Sequence, residues 1–284
     1  MRKPLLRALV LAALVGTMPA AAAEDCAAIA ARAAAAWRAT TIVSGLAGID
    51  AITAACVQKT LVQNLARDLG QPVGYKVGLT GKAMQERLGV DHPVSGVLLQ
   101  RMLSEPGSPV PAGYAARPLV EADLIAVIGD AGVNQAKSPA EVLAHLSALR
   151  PFIELADLAL APDEKPTAAS IAAVNVGARL GIAGRPIAID PGLAERLATM
   201  KVSLTDGSGK VLAEAPGAAI LGHPLNAVIW LAQDLAARGE ALQPGQLISL
   251  GSFGPPAQPV PGGTVTARYD GLSAAPVSLS VRFE

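Results

Sequence analysis

Arg117-Pro-Leu-Val-Glu-Ala-Asp-Leu-Ile-Ala-Val-Ile-Gly129 reads as a strand, because apolar residues dominate from Val120 to Ile128 and Gly129 with Asp130 stops them. Side chains two apart on a strand share a face, so Glu121 and Asp123 point together while Ala122 and Leu124 face the other way. Carboxylates on an apolar strand are costly to bury without a partner. They read either as ligands for a hard divalent cation or as exposed acids on a solvated strand face. Taken alone, the E-x-D spacing slightly favours the solvated face, since such pairs are common.

Two neighbouring stretches extend the pattern. Pro151-Phe-Ile-Glu-Leu-Ala-Asp157 reads as the next strand after an intervening helix and brings a third acid, Glu154. Gly74-Tyr-Lys-Val-Gly-Leu-Thr80 is a short β-like run with Lys76 at its centre. A lone strand lysine is ordinarily a solvated edge residue. Here Gly74 and Gly78 permit close approach of a ligand to the backbone, which favours a functional lysine. Two or three carboxylates leave a cation's remaining positions, of about six, to water or a chelating substrate.

The rest of the chain is mixed in texture. Helical periodicity runs from Ala27 to Leu69, with Asp50 placed to cap a second helix. Lys82–Leu88 reads as a helical turn closed by Gly89, and Pro139–Leu149 as an amphipathic helix capped by Ser138. Residues 170–180 read as helix or loop around Asn175. Val202–Thr205 and Val211–Ala215 make a hairpin, Pro224–Arg238 a helix, and Leu247–Leu250, Val265–Tyr269 and Val277–Phe283 strands. Helices and strands do not alternate strictly, so an α+β fold is expected rather than a doubly wound sheet. The expected division is a catalytic domain over 73–284 preceded by an N-terminal helical subdomain over 24–72.

Of 284 residues, 51% are hydrophobic and 3% aromatic, so the core is filled by small aliphatic side chains. Arg2, Lys3 and Arg7, the apolar run Leu5–Val15 and the small residues Ala21–Ala23 read as a signal peptide over 1–23, implying a periplasmic or secreted protein without a membrane anchor after cleavage. Removing those three cations from 23 basic residues, against 23 acidic, leaves a net charge of −3, which does not suggest nucleic-acid binding. In an exported protein, Cys26 and Cys56 are expected to form a disulfide across the helical hairpin; buried free thiols are the alternative. His92, His145 and His223 are too scattered for a zinc site.

Five segments taken in order carry a wider resemblance. They are GYKVGLTGKAMQERLGVDHPVSGVLL from Gly74, RPLVEADLIAVIG, PFIELAD, GHPLNAVIWLAQDLAARGEALQPGQLISLGS from Gly222, and VPGGTVTARYDGL from Val260. Together they resemble the 2-keto-4-pentenoate hydratase family of the fumarylacetoacetate hydrolase superfamily, over about residues 54–283. The resemblance implies a mixed, largely antiparallel, β-roll or barrel-like catalytic domain of the fumarylacetoacetate hydrolase C-terminal type, and a homo-oligomer. It implies Glu121, Asp123 and Glu154 as ligands for Mg2+ or Mn2+, and Lys76 as the active-site lysine. A small 2-hydroxy-2,4-dienoic acid, or its 2-oxo tautomer, would bind through its carboxylate and C2 oxygen, and water added at C4 would give a 4-hydroxy-2-oxo acid. Asp91 is a candidate proton relay or a plain turn residue, and Asp157, Asn175 and Ser252 are candidate substrate contacts.

Departures from the family bear on activity. Asp123 stands where glutamate is usual, one methylene short; Val174 replaces an acid before Asn175; and DLA replaces a DSR-like stretch at Asp157. The alternatives are a related 2-oxo acid decarboxylase, a C–C hydrolase, for which His92 is the single histidine in the N-terminal part, or a non-catalytic periplasmic oxo-acid binding protein.

Overall fold

Helical periodicity near the start of the chain produces a hairpin of two helices, α1 (Ala20–Ala39) and α2 (Ala51–Leu69). The computed structural model describes residues 20–284, with side chains from Cys26 onward, so the signal-peptide reading of 1–23 falls almost wholly outside it. Asp50 caps α2, its carboxylate accepting from the amides of Ile52 and Thr53. The small residues Ala30, Ala33 and Ala34 let α1 lie close to Val57, Leu61 and Leu65 of α2. Cys26 and Cys56 are joined by a disulfide across this contact, with Cα atoms 6.0 Å apart.

The chain continues through β1 (Pro72–Gly78), α3 (Lys82–Leu88), β2 (Val94–Leu99), β3 (Leu103–Ser104), β4 (Pro118–Ile128), α4 (Pro139–Ala144) and β5 (Leu146–Asp157). Then come α5 (Ala168–Ala173), β6 (Leu180–Ala183), α6 (Leu193–Thr199), β7 (Lys201–Asp206), β8 (Val211–Pro216), α7 (Asn226–Ala237), β9 (Leu247–Ser249), β10 (Thr264–Asp270) and β11 (Val277–Arg282). The helical hairpin is not walled off from the strands. Its core takes in Leu98, Leu99 and Met102 beyond β1, and Leu160 and Ala173 further on.

A mixed, mostly antiparallel sheet of seven strands runs β2-β1-β9-β4-β5-β6-β3, and a second sheet of four runs β11-β10-β7-β8. Both contribute to one apolar core together with α6 and α7. This is the α+β architecture expected from the sequence. Tyr269 of β10 ties the sheets: its buried hydroxyl donates to the Asp123 carbonyl at 2.5 Å and accepts from the Phe152 amide at 3.3 Å.

One expected element is corrected. The helix placed over Pro139–Leu149 ends at Ala144, and β5 begins at Leu146. Leu146, Ala148 and Leu149 pair with Ile128, Val127 and Ala126 of β4, so ladder hydrogen bonds outweigh the amphipathic helical pattern. β4 and β5 are therefore direct antiparallel neighbours.

Opening the disulfide with reductant should lower stability against urea by about 3 to 4 kcal/mol, the loop-closure value for a bridge of this span. The Cys26→Ser/Cys56→Ser protein should match the reduced form, and equal midpoints for oxidised and reduced protein would contradict the prediction.

Candidate active site

Strand register gathers the charged residues. Glu121 lies directly opposite Glu154 across β4 and β5, and Asp123 opposite Phe152. Ser249 of β9 pairs with Ile125 on one side and Lys76 on the other. Alternation then places Lys76, Ser249, Glu121, Asp123 and Glu154 on one face of the large sheet. That face is not solvated: Asp123 is 0% exposed, Glu154 3% and Lys76 4%, while Glu121 is partly buried. The solvated-face reading of the E-x-D pair is thus set aside.

Lys76 forms a buried ion pair with Glu154, and its Nζ donates to the Val176 carbonyl at 2.8 Å. Burial opposes its charge, but Glu154 and then Glu121 outweigh that cost and raise its pKa. Burial, followed by the charge of Glu154, pushes Glu121 up to about 7, with Lys76 acting against the shift. Asp123 is also raised, by burial first and Glu154 second, against hydrogen bonds from Ser249 and Leu124. Three carboxyls facing one ammonium leave two negative charges in excess when all are ionised. Carboxylate oxygens are the donor type a hard divalent cation takes, and of these three acids Glu121 and Glu154 lie directly opposite one another.

Asp123 departs from that arrangement. Its carboxylate accepts from the amides of Leu124, Leu250 and Gly251, at 2.5, 3.1 and 3.0 Å, and from the Ser249 hydroxyl. Among the described residues, no three His, Cys, Asp or Glu side chains form a ready metal-binding group. One methylene shorter than glutamate, this acid is held against the segment following β9.

The remaining sequence candidates are placed elsewhere or engaged otherwise. Asp157 belongs to the opposite face of β5; its oxygens accept from the amides of Ala116 and Arg117, and the Arg179 guanidinium lies 4.0 Å away. Asn175 is buried and bonded to Val97 through both ends of its amide. Ser252 donates to the Gly254 carbonyl. Asp91 is exposed on the turn before β2, beyond the end of the β1–β2 pair. His92 is exposed beside it, its ring against the Pro93 carbonyl.

Sequence reasoning missed Ser249, the Val176 carbonyl and Arg179. Ser249 had a signal, a lone hydroxyl between Ile248 and Leu250 in an apolar run. Arg179 is buried, stacked 4.0 Å over Trp37, and donates to the Tyr114 and Trp37 carbonyls, tying α1 to the sheet. A backbone carbonyl such as that of Val176 has no side-chain signature.

Glu121 binds its proton more tightly folded than unfolded, where a value near 4.5 applies. With chelator present, stability should therefore fall as pH rises from about 4.5 through about 7, and the fall should shrink in Glu121→Gln; a flat profile across that window would contradict the assignment. Asp123→Asn turns an amide donor toward N–H groups and should cost ~1–3 kcal/mol in chemical unfolding, while an unchanged midpoint would contradict the anchoring role.

No family model matches the chain. It is 30% identical over 229 residues to the 2-keto-4-pentenoate hydratase of Burkholderia vietnamiensis, covering 80% of this chain and 85% of that one. It is 31% identical over 215 residues to a 4-oxalocrotonate decarboxylase of Pseudomonas putida, covering 74% and 77%. The structure of 4-oxalocrotonate decarboxylase from Pseudomonas putida G7, complexed with magnesium and adipate, superposes with a TM-score of 0.80 at 27% identity, over 92% of this chain and 98% of that one. On these grounds and on its α+β architecture, the chain belongs to the 2-keto-4-pentenoate hydratase family of the fumarylacetoacetate hydrolase superfamily.

Proposed function

We propose that the protein is a divalent-metal-dependent hydro-lyase, hydrating a 2-hydroxy-2,4-dienoate or 2-oxo-alkenoate to a 4-hydroxy-2-oxo acid outside the cytoplasm. The observation that carries this reading is the buried Lys76–Glu154 ion pair on one sheet face with Glu121 and Asp123. Glu121 and Glu154 would hold Mg2+ or Mn2+, with Asp123 a third ligand only if it leaves its Ser249 and amide partners or acts through water. Such a cation supplies positive charge where an enolate oxygen develops.

The chain's own groups account for the rest. An ammonium has three donors, and among the described residues Lys76 spends two, on Glu154 and the Val176 carbonyl. The third would bind the C2 oxygen of the 2-oxo tautomer and stabilise the negative charge that builds there when water adds at C4. Asp91 is the proposed proton relay at the solvent end of the site, because its exposed turn leads into β2, whose Gly96 pairs with Lys76. The disulfide supports an oxidising compartment and hence export. Family membership supports a homo-oligomer.

A second reading, decarboxylation of a 2-oxo acid, is favoured by the likeness to 4-oxalocrotonate decarboxylase. Purified protein with Mg2+ should consume 2-hydroxypenta-2,4-dienoate and yield 4-hydroxy-2-oxopentanoate. Lys76→Met should lower kcat by ~10²–10³-fold, and Asp91→Asn by at least ~10²-fold if it carries the proton. Carbon dioxide release from 4-oxalocrotonate without dienoate hydration would select the second reading. Thermal stabilisation by 2-oxo acids without turnover of either substrate would leave a binding protein. Export predicts a periplasmic form beginning at Glu24, and an intact Met1 form in the cytoplasm would contradict it.

A further inference from the structure

Asn175, Val176 and Gly177 all lie in the left-handed region, with φ of 55°, 56° and 69°. Only the glycine adopts that conformation without steric cost, and a β-branched valine there is an outlier that surrounding structure must enforce. The enforcement is visible on both sides of the turn. Asn175 Oδ1 accepts from the Val97 amide at 2.7 Å, and its Nδ2 donates to the Val97 carbonyl at 2.9 Å, so the side chain pairs with β2 as a neighbouring strand would. β2 is the edge of the large sheet, which leaves those groups open to it.

Glycines make room for the turn. A Cβ added at Gly78 would lie 2.4 Å from Val176 Cγ1, and one at Gly96, the cross-strand partner of Lys76, 2.6 Å from the Asn175 carbonyl oxygen. One added at Gly177 would lie 2.9 Å from the Asp157 carbonyl oxygen. The turn thus packs against the β1–β2 pair beside the lysine. Its central carbonyl, that of Val176, is the one to which Lys76 donates.

We propose that the strained Asn175–Gly177 turn is a positioning device: it fixes the Val176 carbonyl as an acceptor that, with Glu154, aims the remaining Lys76 N–H at the substrate oxygen. Asn175 is then a positioning residue that acts through the turn, with no contact to substrate. The inference rests on the proposed role of Lys76, but the hold on the ammonium exists without substrate and is tested separately from it.

The test uses Gly78→Ala, whose methyl collides with Val176 Cγ1, and the double variant Gly78→Ala/Val176→Ala, which removes that carbon while keeping the carbonyl. Asn175→Gly provides an independent arm, tolerating the left-handed backbone while losing both bonds to Val97. Acetylation of Lys76 by acetic anhydride is monitored by peptide mass spectrometry in folded protein, and kcat and KM for dienoate hydration are measured on the same samples. Gly78→Ala and Asn175→Gly should each acetylate Lys76 at least tenfold faster and lower kcat at least tenfold with KM nearly unchanged. The double variant should return both readouts to within about threefold of the parent. A turn that serves stability alone would lower the unfolding midpoint without moving Lys76 reactivity or kcat per folded molecule, which overturns the proposal. If Gly78→Ala does not fold, the Asn175→Gly arm decides by the same readouts. If no form turns over dienoate, the acetylation pattern still decides whether the turn holds Lys76, and the role assigned to Lys76 on substrate is what fails.

Discussion

Glu121, partly buried, and Glu154, buried, face each other across adjacent strands, and the arrangement around them depends on that pairing. Two buried like charges destabilise one another, and removal from water adds to the cost. Lys76 offsets part of it through the ion pair with Glu154, and its own ammonium is tolerated because the carboxylates surround it. The negative charge that appears when Glu121 and Asp123 ionise is the physical basis for assigning a divalent cation to this face.

Asp123 and the Asn175–Gly177 turn show two ways in which the neighbourhood of that pair is made rigid. The shorter acid is bound by three backbone amides and a serine hydroxyl, while its own carbonyl receives the Tyr269 hydroxyl from the second sheet. The same residue therefore joins β4, the segment after β9 and β10. On the other side, a left-handed valine is held in place by an asparagine and by glycines that clear its path. Backbone groups do much of the positioning, with side chains supplying the charge.

Much of the fold was legible because its signals are local. Apolar runs bounded by turn residues marked β4, β7, β8, β10 and β11, Asp50 marked the start of α2, and the two cysteines marked a contact between α1 and α2 that the disulfide realises. The helix expected over Pro139–Leu149 failed where non-local pairing with β4 captured residues that also fit an amphipathic pattern. At the site, residue types indicated Lys76, Glu121, Asp123 and Glu154, but spacing alone did not reveal their burial, which comes from strands distant in sequence. Asp157 and Asn175 carried the right chemistry for substrate contact, yet the structure engages them with the Ala116, Arg117 and Val97 backbone. The Val176 carbonyl was illegible, since its role lies in a backbone conformation set by Asn175, Gly177 and the glycines of β1 and β2.

Calorimetric titration of the chelator-treated protein with Mn2+ or Mg2+, repeated near pH 6 in buffers of different ionisation enthalpy, reads out cation binding at Glu121 and Glu154 together with the proton it displaces. One cation should bind per chain, with proton release on binding because Glu121 takes up a proton below about 7, and both should be lost in the Glu121→Gln/Glu154→Gln protein. Absence of binding heat at millimolar cation in every buffer, or equal binding by the double variant, would contradict the cation assignment.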